Sequence, residues 1–157
     1  MPGAPIARRI VTHGIVAGAV AAAATGGALI GFGRARGSAF RPLNAIAHAV
    51  LGSRAFLFDA FDPLVTTLGV VVHLVSLLLW GLLFAALVQR LRGWALAAAG
   101  LLFAWAAYAI DYGLVPERLR PGFETALLPR EIGVVYVVLA LSLAAGVKLS
   151  HSSADIE

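Results

Sequence analysis

Four long apolar runs dominate the pattern of hydrophobic and polar positions along the chain. The first, Ile10 to Phe32, carries no fixed charge and is bracketed by Arg8 and Arg9 before it and Arg34 and Arg36 after it. At ~1.5 Å of rise per residue it is long enough to cross a hydrocarbon core of ~30 Å. The second, Leu64 to Val88, is of similar length, and Asp62-Pro63 precedes it as an N-cap and first-turn pair. Trp94 to Ile110 and Ile132 to Val147 are shorter and sit near the lower limit for a span; the latter gains workable length by extension to Leu149. Trp94, Trp105, Tyr108 and Tyr112 mark the ends of the third run with aromatics of the kind that membrane interfaces favour. The pattern predicts an all-α integral membrane four-helix bundle, a single domain over 1–157 with spans at about 10–32, 64–88, 94–110 and 132–149. The small residues of "AVAAAATGG" would also suit a signal-peptide cleavage site. However, the apolar run continues past them to an Arg flank, as a retained helix does.

The connections depart from plain loops. "RPLNAIAHAVLGSRAFLFDAFDP", Arg41 to Pro63, is itself largely apolar. Arg41-Pro42 can open a helix, Gly52 can stop it, and Ser53 can cap another. Two short helices are expected, at about 42–51 and 53–61, each too short to span and therefore interfacial or re-entrant. Asn44 and His48, four residues apart, share a face that turns either to water, the simpler reading, or to a site. The segment from Asp111 to Glu131 holds three Pro, four acidic residues and three Arg, so contacts must order it. Glu117 with Arg120, and Arg130 with Glu131, are candidate ion pairs.

Composition agrees with a lipid solvent. The chain is 61% hydrophobic and 13% charged, where soluble domains are roughly half apolar and about a quarter charged. The net charge of +4 comes from basic residues placed beside the apolar runs, the arrangement of anchors that meet lipid phosphates. With no basic face carrying stacking aromatics, nucleic acid is not expected as a partner. The absence of Cys removes disulfides, thiol chemistry and cysteine-held clusters. Eleven of the twelve basic residues are Arg and Ala is abundant, which suggests a GC-rich bacterial genome and hence the inner membrane. Basic residues are densest in the short terminal and second connecting segments, so both termini are expected inside.

A titratable group within a span is costly and is a candidate site by default. His73 lies in the second run with Gly69, Ser76 and Trp80 on its face and Thr66 further out. The simplest role for a neutral His in lipid is to bond a neighbouring hydroxyl or backbone group; proton or ligand handling is the alternative. Asp111 ends the third run on the same side as His48 and Asp62. The candidate polar site is thus Asn44, His48, Asp62, Thr66, His73, Ser76 and Asp111. His13 should differ from His73 in depth by more than ~15 Å at helical rise, so the two do not share a haem iron. Two His without supporting groups make no metal set, and no cofactor is assigned. Gly14, Gly18, Ala22 and Gly26 form a helix-packing stripe, expected to meet the protein's own helices, with a dimer interface as the alternative.

"PLNAIAHAVLG", followed by Asp62, Thr66, Thr67, Gly69, His73 and Trp80, then Asp111, "PERLRPGFE" and "VVY", resembles a group of small bacterial inner-membrane proteins of unknown function, some labelled sodium:proline symporter. The resemblance runs from Pro42 to Tyr136 and implies a small four-helix inner-membrane protein, with no catalytic residue to carry over. Sodium/solute symporters have ten or more helices in inverted repeats, which four spans without a repeat do not build as a monomer.

The expected function is a non-enzymatic membrane module, as a homo-oligomer or with a partner membrane protein, supporting transport or a larger envelope complex. The alternatives are a proton, ion or small-solute conductor centred on His73, and a haem- or quinone-binding redox protein. No GxSxG, HExxH or intramembrane Asp pair supports a hydrolase.

Overall fold

A computed structural model describes residues 6–154. The elements are α1 (Ile6–Ala35), α2 (Arg41–Ile46), α3 (His48–Leu51), a 3₁₀ helix (Gly52–Leu57), α4 (Pro63–Leu87), α5 (Gly93–Gly113), 3₁₀ turns at Glu117–Leu119 and Phe123–Thr125, and α6 (Pro129–Ala154). Among the described residues there is no strand. α1, α4, α5 and α6 are each long and apolar enough to cross a membrane, and the fold is an all-α four-helix membrane bundle.

α1, α5 and α6 overrun their apolar runs by a few residues, because helical hydrogen bonding continues where side chains turn polar at the interface, and α4 matches its run to within one residue at each end. Asp62 caps α4 as its position suggests: Oδ1 accepts from the Leu64 and Val65 N–H groups at 3.0 and 2.8 Å. Pro129 takes the first position of α6, and Glu131 reaches back to accept from the Leu128 N–H at 2.8 Å, the N3 half of a capping box. The same carboxylate oxygen accepts from Arg36 Nε at 2.7 Å and so ties the end of α1 to the start of α6. The expected Arg130–Glu131 pair does not form, because consecutive residues on a helix face different directions. Glu117 and Arg120 do approach, but only to 3.9 Å.

α1 is the central helix. It packs along α4 on one side and α6 on the other, and α5 packs on the far side of α6. Close approach depends on glycine. A Cβ on Gly18 would stand 2.6 Å from the Leu77 carbonyl oxygen and 2.7 Å from Leu78 Cα, and one on Gly81 would stand 2.7 Å from Gly18 Cα. Gly14 meets Leu82 in the same way, and Gly26 faces His73. The small-residue stripe therefore lies against α4 of the same chain. In lipid such contact is driven by packing, since the tails compete on equal terms for apolar surface.

Although α4 and α5 are joined by a tight turn, their backbones stay apart. Rings fill the gap: Phe103 of α5 lies 5.5 Å from Trp80 and 5.2 Å from Phe84, centroid to centroid.

The first connection differs from expectation in two respects. The second short helix is the 3₁₀ segment Gly52–Leu57, and residues 58–62 are not helical; Ser53 makes no side-chain cap, and the chain breaks at Gly52 with φ +65°. Moreover, 42–48 are all buried. The Leu43 carbonyl sits where a Cβ on Gly69 would fall, about 9 Å along α4 from Pro63 at helical rise. The short helices are thus tucked into the mouth of the bundle, and Asn44 and His48 face protein, not water.

Candidate functional site

The structure distributes the seven candidate polar residues among three places. The first is a clasp where the first connection enters α4. Asn44, with no exposed surface, donates from Nδ2 to the Phe58 and Ala60 carbonyls, each at 2.8 Å. Its Oδ1 accepts from the Thr66 hydroxyl at 2.6 Å, and the Thr66 oxygen accepts from the Asp62 N–H at 3.1 Å. Both amide groups of Asn44, the Thr66 hydroxyl and Asp62 Oδ1 are engaged. The cluster holds the extended 58–62 segment in place, and its buried groups, those of Asn44 and Thr66, are taken up by one another and by the backbone.

The second place is His48. Its ring stacks on Phe56 with centroids 5.1 Å apart. Nδ1 lies 2.9 Å from the Ala45 carbonyl and Nε2 lies 3.2 Å from the Glu117 carbonyl. The ring therefore joins the first long connection to the second, beneath Gly122, where a Cβ would strike it. Gly122 also has φ +84°, so both conformation and space require glycine there.

The third place is a cavity of about 120 Å³ between α1, α4, α5 and α6, roofed by Leu119–Pro121. It brings together His73, Ser76 and Asp111 from the candidate set and adds Thr25, Tyr136 and Arg120. The partners of His73 fix its tautomer. Thr25 gives its own hydrogen to the Ala21 carbonyl at 2.7 Å, so its oxygen is an acceptor toward His73 Nε2 at 3.1 Å. The Ala22 carbonyl, 3.3 Å from the same nitrogen, is also an acceptor. Nε2 therefore carries the proton, and in the neutral ring Nδ1 is an acceptor. Among the described residues Nδ1 has no hydrogen-bond partner, and neither does Ser76 Oγ.

Near the mouth, the Tyr136 hydroxyl donates to Asp111 Oδ2 at 2.6 Å. Tyr108 and Tyr112 pack around that pair, with Tyr108 edge-on to Tyr136 at 5.2 Å. Asp111 Oδ1 is unpaired among the described residues. Arg120 Nε is buried without a hydrogen-bond partner. Deeper in, the walls are apolar: Leu77, Trp80 and Leu139. Below them the bundle is closed. Ala17, Ala21, Phe84, Leu143 and Val147 are at most 1% exposed, and Gly146 brings α6 against Ala17 of α1.

The residues absent from the sequence-based set, Thr25, Tyr136 and Arg120, carry little signal alone. Thr25 and Tyr136 sit in apolar runs where a hydroxyl is unremarkable, and Arg120 belongs to a segment whose course only contacts decide. His13 lies at the opposite end, edge-on to His151 at 4.5 Å between centroids, and takes no part in the cavity. Among the described residues no three His, Asp or Glu side chains converge as a metal-binding group. No family model, curated protein or solved structure matches this chain.

Proposed function

We propose that the protein is a non-enzymatic module of the bacterial inner membrane that holds a small molecule admitted from one face of the bilayer, in support of transport or of a larger envelope complex. The supporting observation is the blind cavity: unpaired polar atoms of His73, Ser76 and Asp111, together with the Arg120 side chain, line a space that ends on a tightly packed apolar floor. Pockets with a few unpaired polar groups on apolar walls are the usual form of small-molecule sites. A conductor would instead need polar groups continuing through the bundle, and the floor at Phe84, Leu143 and Val147 offers none. The density of Arg near the N-terminus and in the short turn favours those segments inside, so the cavity opens outward. Membership in the group of small inner-membrane proteins that the chain resembles is part of the same proposal.

Reconstitution into proteoliposomes with an imposed pH gradient tests it. The expected result is proton and sodium flux no greater than in empty vesicles, for both the natural chain and His73→Phe. A flux that His73→Phe abolishes would replace this reading with the conductor.

A further inference from the structure

Two groups of opposite charge line the cavity without pairing with each other. Among the described residues, the only carboxylate within 4 Å of the Arg120 side-chain nitrogens is that of Glu117, at 3.9 Å and largely exposed. Arg120 Nε–H points to no acceptor although it is buried. Asp111 is held through Oδ2 by Tyr136, which leaves Oδ1 open. A buried donor without an acceptor is disfavoured, and the low-dielectric surroundings strengthen any ionic partner that supplies one. An anion would satisfy Arg120 and oppose Asp111; a cation would do the reverse; an apolar molecule would leave both unpaired.

Resting on the binding role set out above, we propose that this cavity takes a zwitterion, with its anionic group at Arg120, an N–H-bearing ammonium at Asp111 Oδ1, and its apolar part along Leu77, Trp80 and Leu139. Ser76 Oγ and His73 Nδ1 stand partway down the wall and accept further N–H or O–H groups of the ligand. An ammonium separated from a phosphate or carboxylate by a short linker is found both in a phospholipid headgroup and in a free apolar amino acid. The separation of the α4 and α5 backbones, bridged by the rings of Trp80, Phe84 and Phe103, would let lipid tails lie beside the cavity. The mouth under Leu119–Pro121 would admit a free solute.

The test separates these sources. The full chain is placed in nanodiscs of equal phosphatidylethanolamine, phosphatidylcholine and phosphatidylglycerol, released gently, and its retained lipids are weighed by native mass spectrometry. Free phosphoethanolamine and leucine are titrated in parallel by thermal shift. The lipid source predicts at least tenfold enrichment of phosphatidylethanolamine over phosphatidylglycerol. Phosphatidylcholine, whose ammonium has no N–H, should be weaker. Asp111→Asn should remove the preference, and Arg120→Gln, in a connection outside the spans, should lower retention of both zwitterionic lipids. The free-solute source predicts protection by leucine or phosphoethanolamine that both variants reduce at least tenfold in apparent affinity, with no lipid preference. Circular dichroism confirms that each variant is folded, and Arg120→Gln serves if Asp111→Asn is not. Binding of a fatty acid or a neutral amphiphile such as decanol, with no zwitterion preferred, overturns the zwitterion and leaves the binding role standing. If no probe binds or protects, both fall.

Discussion

Asn44 shows how a polar side chain becomes structural inside a membrane protein. It is completely buried, gives both amide hydrogens to carbonyls of the extended 58–62 segment and takes the Thr66 hydroxyl on its oxygen. Those carbonyls have no helical partner. Replacing Asn44 with Leu keeps much of the volume and removes all three bonds. The expected loss is about 2–4 kcal/mol, since each buried group left unpaired costs about 1–3 kcal/mol and the segment relaxes in part. Unfolding of the purified protein in detergent, followed by circular dichroism, measures it; a change under about 0.5 kcal/mol would mean the clasp is not holding the connection. The spacing of Asn44 and His48 revealed that they share a face, but not what covers that face. Periodicity describes one element, whereas the covering atoms come from residues 14 and 16 positions away and, for His48, from Glu117. The same limit hid Thr25, which meets His73 across 48 residues of chain.

At the scale of elements, the contact between α1 and α4 rests on Gly18 and Gly81, whose backbones approach where any side chain would intrude. Gly81→Leu should force the two helices apart, with a loss of about 1–3 kcal/mol from overpacking, and more if the cavity wall shifts with them. Gly27→Ala, at a position with nothing within 4 Å of the added Cβ, should be neutral or slightly stabilising through helix propensity. Equal destabilisation by both, read from thermal midpoints, would contradict the packing account. The spans themselves were readable, because a run of apolar residues long enough to cross lipid has few other uses. Their ends and the 3₁₀ segment after Gly52 were not, because hydropathy falls off before helical hydrogen bonding does, and a short segment takes its form from its neighbours. The stripe on α1 was visible in the four-residue spacing. Its partner surface at Gly81 was not, since a single glycine in a helix carries no spacing.

For the whole molecule, the arrangement that makes the cavity is the order of the helices. α1 sits between α4 and α6, while α4 and α5, consecutive in sequence, keep their backbones apart and meet through the rings of Trp80, Phe84 and Phe103. Helix order around a bundle is not written in any single run, so His73 and Asp111 could be named as candidates without showing that they share a space with Arg120 and that Asn44 does not. The result is an asymmetry: polar atoms line a cavity beneath the long connections, and a close-packed apolar layer at Phe84, Leu143 and Val147 separates it from the end that holds His13 and Ser150. Because the chain has no cysteine, a single introduced thiol reports on this directly. Ser76→Cys in sealed vesicles of known orientation should be modified by a membrane-impermeant methanethiosulfonate added on the face bearing the two long connections. The same reagent on the face of the 88–92 turn should leave it untouched, and Leu143→Cys should resist from both. Modification of Ser76→Cys from the turn face, or from neither face, would contradict a cavity that opens on one side and ends within the bundle.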